Sequence, residues 1–229
     1  MKISKMKKIL MALSIGVILP MTNLSAAGNE PASLDADTVT YDMSTGEATA
    51  DGNVLLTRGT AKATGAKATY NTKTMAATLE GDVIAIREDL RVTCAKMVSD
   101  GTGHMQAIGN VYGVKQDKTF RGELVDYYPN QNKYVLIPNG GTMTSADGTF
   151  TADKIEGWLD DEHYVGTGNA HVVSPPRNME AGGDRMDYRG KDQGVVVVTG
   201  NAWAIQDNNT MKSNRLTMYL AQDGKAKVQ

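Results

Sequence analysis

The stretch ATADGNVLLT, residues 48–57, decides the fold. A Gly-Asn pair sits between two short runs with β character. Relatives of it recur as TLEGDVIAI from Thr78, QAIGNVYGV from Gln106, VGTGNAHVV from Val165 and VVTGNAWAI from Val197. The corner glycines fall at Gly52, Gly81, Gly109, Gly140, Gly168 and Gly200, at spacings of 29, 28, 31, 28 and 32. A second marker runs beside them at Tyr41, Tyr70, Val98, Tyr127, Trp158, Tyr188 and Tyr219, spaced 29, 28, 29, 31, 30 and 31. Two markers in phase define a repeat, and a repeat of this length is one supersecondary unit stacked on its copies.

Each unit is a short strand, a polar turn and a second strand carrying the corner glycine. ADTVTYD (36–42), MSTG and EATADGNVLLTR form the first. Asn, Asp, Gly and Ser supply φ > 0 or side-chain to backbone bonds in such turns. Strands joined this way pair antiparallel. No later stretch carries a helical stripe. Stepping by two from Gly52 gives Ala48, Ala50, Val54 and Leu56 on one face, and from Gly200 it gives Val196, Val198, Ala202 and Ala204. That face is apolar or small in each unit. A glycine within a strand marks a bend or a close backbone approach. The expected fold is therefore all-β, a sheet creased along one level into a V or flattened tube. Its lining is either an ordinary dry core or a trough for an apolar ligand. Small residues leave volume unfilled, at about 24 cal/mol per Å³, which argues for the trough.

The chain has 229 residues, of which 1–27 are read as a cleavable signal peptide. MKISKMKK is basic, ILMALSIGVILPM is apolar, and Ser25 and Ala27 place a cleavage site before Gly28. Residues 28–229 are expected to be one domain of about six and a half repeats. Without the leader the chain carries 20 basic and 26 acidic side chains, a formal charge of −6, which argues against nucleic acid. The single cysteine, Cys94, makes no intramolecular disulfide and lies far from any lipobox. It reads as a buried thiol.

The stretch ADTVTYDMSTGEATADGNVLLTRG resembles the OstA-like repeat of the LptA family of periplasmic lipopolysaccharide-transport proteins. The match is carried by Ala36, Asp37, Tyr41, Asp42, Gly52, Asn53 and Val54, and returns at 68–83, 153–170 and 184–202. It weakens at YYPNQNKYVLIPNGGTM (127–143), where Pro138 and Gly140-Gly141 replace the usual corner. The resemblance implies a twisted antiparallel β-jelly-roll of V-shaped section in the periplasm. It implies lipopolysaccharide (lipid A) as ligand, LptC-like and LptD-like proteins as partners, and head-to-tail self-association through edge strands. Unpaired edges are expected near Ser33–Asp42 and in the last half-unit, NRLTMYLAQDGKAKVQ. The candidate lining residues are Val39, Tyr41, Val54, Leu56, Leu79, Val83, Val111, Val172, Val196 and Val198.

Other readings compete with this one. A retained leader would make the chain a membrane-anchored, LptC-like component. An exported β-helix enzyme acting on polysaccharide would need paired carboxylates on one face, and a repeat-built adhesin would need neither. Asp160, Asp161, Glu162 and His163 form the densest polar group and read as an exposed acidic turn. His104, His163 and His171 lack ligand spacing. No catalytic residue, metal or cofactor is expected.

Overall fold

The computed structural model describes residues 32–190, 194–220 and 226–228. The leader assigned to 1–27 lies outside them. The strands are β1 (Ala32–Asp35), β2 (Thr38–Asp42), β3 (Glu47–Arg58), β4 (Ala61–Asn71), β5 (Ala77–Arg87), β6 (Leu90–Ser99), β7 (Met105–Lys115) and β8 (Lys118–Tyr128). They continue as β9 (Tyr134–Ile137), β10 (Gly141–Ser145), β11 (Gly148–Ala152), β12 (Lys154–Trp158), β13 (His163–Ser174), β14 (Met179–Arg189), β15 (Val195–Gln206), β16 (Asn209–Leu220) and β17 (Ala226–Val228). All belong to one antiparallel sheet. A three-residue 3₁₀ turn, Pro175–Arg177, joins β13 to β14.

The topology is a meander of creased rungs. Each long strand crosses from one wall to the other. On the first wall β2 pairs with residues 47–51 of β3, while on the second β1 pairs with residues 55–58 of the same strand. β1 and β2 are thus one broken rung. The irregular unit at 127–143 follows the same rule. β9 lies on the first wall beside β8 and β10 on the second, with Pro138–Gly140 as the crease. β11 and β12 form the next broken rung, creased at Asp153. The odd corner is therefore an interrupted rung in an unbroken stack.

The crease has a stated chemistry. At Gly52-Asn53 two successive residues take positive φ, +78° and +48°, and the pairing with β4 slips between Asp51 and Val54. This is a β-bulge that bends the strand. The Asn53 side chain donates to the Asp37 carboxylate at 2.9 Å, sixteen residues back on the preceding rung. Asn169 donates to Asp153 at 2.8 Å and Asn201 to Asp184 at 3.1 Å. The paired Asp and Asn of the repeat are thus a clamp holding one corner onto the next.

Both ends of the stack are edges among the described residues. β1 and β2 pair only with β3. At the other end β17 covers residues 218–220 of β16 on the first wall, and the 209–213 half of β16 pairs only with β15.

The second sequence marker divides between faces. Tyr41, Tyr70, Tyr127 and Tyr188 lie in one inward row together with Tyr164. Val98, Trp158 and Tyr219 belong to outward rows, beside Thr78, His163 and Val195 respectively. A one-residue difference in turn length flips every side chain of a strand, so residue spacing by itself does not carry facing.

Candidate functional site

The inner faces of the two walls meet along the stack and form one apolar cluster. Seven of the ten candidate lining residues are in it and buried: Val54, Leu56, Leu79, Val83, Val111, Val196 and Val198. Val172 is half-buried and packs against the same cluster. Val39 and Tyr41 face inward by register, opposite Ala50 and Ala48, yet are 50% and 49% exposed. Their rung is the last of the stack among the described residues. The apolar interior therefore runs out to solvent at the β1–β2 end.

The expectation of an unfilled lining is corrected. Leu79, Val83 and Val198 are 0% exposed, so the walls touch in the protein as it stands. The reason is a set of residues that the alanines and valines of the corner motif do not reveal. Phe120, Met97, Met143, Met186 and Met218 project inward and close the trough. Methionine is unbranched and adapts its shape at low cost, so the closure is one that can repack. Residues 105–113 show part of this signal, since Met105 shares the face of Gly109.

The outer face is polar and braced. His104 stacks on Tyr128 with ring centroids 4.4 Å apart, and a ladder runs on through Tyr134 and Trp158 to His163. Each histidine is held by one carboxylate: His104 by Asp126 at 2.7 Å, His163 by Asp187 at 3.0 Å and His171 by Glu180 at 2.8 Å. No group of three or more His, Cys, Asp and Glu side chains among the described residues could hold a metal. In the acidic turn, Asp160 and Asp161 are exposed, Glu162 and His163 are half-buried, and Lys133 pairs with Asp160 at 2.5 Å. Cys94 is buried on the inner face, and burial pushes its thiol up to about 11, which keeps it unreactive.

Two carboxyls of this outer face bear on acid stability. Burial by itself raises the Asp187 carboxyl, but the His163 and Arg189 charges outweigh it and hold the group below 3.8. Burial likewise opposes ionisation of Glu156, and bonds from Lys154 and Tyr134 outweigh it and hold the group below 4.5. A depressed folded-state pKa gives stabilisation present above the ordinary value and lost as pH falls through the folded one. The unfolding temperature should therefore drop as pH falls from 4.5 downward. Asp187→Asn should flatten part of that drop in a calorimetric pH series, and an unchanged slope would remove Asp187 from the account.

Fold and interior together define the class: a creased antiparallel β-jelly-roll whose two walls enclose an apolar trough. A family model, LptA/(LptD N-terminal domain) LPS transport protein, matches residues 33–163. That is more than half the chain, and the protein belongs to this lipopolysaccharide-transport family. Among solved structures it is similar to LptH, the LptA homologous periplasmic component of the lipopolysaccharide transport device of Pseudomonas aeruginosa. The two are 21% identical, with a TM-score of 0.40, over 43% of this chain and 76% of LptH. No curated protein matches the chain.

Proposed function

We propose that the protein is a periplasmic carrier of lipopolysaccharide, exported by residues 1–27, that shields lipid A acyl chains between its two walls. The single observation behind this reading is the apolar interior that runs the length of the stack and reaches solvent at Val39 and Tyr41. A stack of some thirteen rungs at about 4.8 Å each encloses roughly 60 Å of interior. Each methylene kept from water is worth about 0.8 kcal/mol, so a chain of a dozen carbons cannot cross water unshielded at useful rates. Acyl chains enter by displacing the inward methionines. The open edges at both ends pair with LptC-like and LptD-like partners, or with further copies of the chain, by strand addition. The interior then continues from one molecule to the next as a bridge between the membranes. No step requires bond chemistry.

The test is to purify the protein from cells that make the glycolipid, extract it and analyse the extract by mass spectrometry. Acylated glycolipid at a fixed ratio to protein is the expected result. Lipid-free protein that also fails to take up glycolipid from micelles would end the carrier reading.

A further inference from the structure

The inward row of the second wall changes character halfway along the stack. It is small at Ala63, Ala85 and Gly113, on β4, β5 and β7. Three large side chains then stand directly opposite one another on successive strands: Phe120 of β8, Met143 of β10 and Phe150 of β11. Beyond Val172 the row is small again, at Ala181 and Ala204. Both phenylalanines of the chain are in this block. Phe120 and Met143 are buried, and Phe150 packs against the same apolar cluster.

Each ring fills the place that a glycine leaves. A Cβ on Gly113 would run into the Phe120 ring, and one on Gly166 into the Phe150 ring. Gly166 lies on the first wall, opposite Ile155 and Met186. The Phe150 ring therefore spans the trough from the second wall to the first. Ile137 and Ile155 come the other way, from the first wall onto Gly122 and Gly141 of the second. A glycine inside a strand permits such close approach, so the walls interlock here. The flanks are closed differently, by Met97 on one side and by Met186 and Met218 on the other. An unbranched thioether chain yields to a ligand at low cost. A ring seated in a glycine pocket does not, because a close-packed interior leaves it no second place to go.

We propose that Phe120, Met143 and Phe150 form a bulkhead that divides the interior into two compartments, so that a bound acyl chain lies wholly on one side of it. This rests on the carrier reading. Six rungs, β1–β2 through β7, lie on one side and four, β13 through β16, on the other. At ~4.8 Å per rung the compartments are roughly 30 and 20 Å long. The longer one opens to solvent at Val39 and Tyr41. The bulkhead thereby sets which chain lengths each compartment accepts, and the longest chains belong to the β1 side.

The experiment uses a stearic acid that carries a photoreactive diazirine near each end. It is bound to the full-length protein and irradiated, and doubly cross-linked peptides are identified by mass spectrometry. In the wild type both ends of one probe should fall in the same half, within 32–115 or within 163–220. Pairs that join the halves should be rare. Phe150→Ala, which empties the volume of the ring, should raise the joining pairs about fivefold. Phe150→Leu, which keeps an apolar side chain in place, should raise them about twofold and serves if the alanine variant does not fold. Joining pairs at one frequency in the wild type and in both variants, whether high or low, leave the carrier standing and overturn the bulkhead. A wild type that cross-links to no inward side chain overturns both.

Discussion

Gly200→Ala should lower the unfolding temperature by roughly 6–12 °C. Gly200 has φ +70°, and Asn201 behind it has φ +50°. An L-residue in the left-handed region costs about 1–2 kcal/mol. A Cβ at Gly200 would also run into the Asp184 carboxylate. That carboxylate accepts both bonds from the Asn201 amide, at 3.1 Å each. Bonds to a charged group contribute about 1.5–3 kcal/mol, so the combined loss is about 3 kcal/mol, and at this chain length each kcal/mol is worth about 2–4 °C. Calorimetry on Gly200→Ala, on Asp184→Ala and on the double variant separates the two parts. If steric conflict matters, the double variant loses less than the sum of the singles. A shift of under a degree in Gly200→Ala would mean that the clamp is not what holds the crease.

Phe120→Ala should move stability and lipid binding in opposite directions. The ring is 3% exposed and lies over Gly113 of the neighbouring strand, in the space a side chain there would need. It is also opposite Met143. Removing a buried ring of this kind costs about 3–5 kcal/mol, read as a lower urea midpoint. The emptied volume lies inside the trough, beside the chains of any bound lipid. Affinity for acylated glycolipid should therefore rise several-fold in a displacement titration, because less of the protein's own packing must be undone. A fall in affinity that tracks the fall in stability would show that the ring supports the walls without standing in a lipid's place.

Both predictions turn on residues of unequal legibility. Gly200 and its equivalents stood out in the sequence, because a glycine at fixed intervals within apolar runs has a local cause, a backbone angle that other residues resist. The Asp184–Asn201 partnership was present in the letters as a recurrent pair, but its meaning required two rungs to lie side by side. Phe120 carried no signal at all, since a single aromatic in a strand reads equally well on either face. Trp158 and Tyr219 occupied the aromatic marker's register and proved to face outward, because facing depends on the length of the turn before each strand.

The sequence by itself determined the repeat, the all-β class, the level of the crease and the apolar character of one face, since each follows from local backbone preference and a period of two. The tertiary structure decided that the rungs stack in chain order, that Val39 and Tyr41 lie open at one end, and that methionines and Phe120 close the trough. Those depend on which side chains meet across strands and across walls, and the volume left between two walls is fixed only when both are in place.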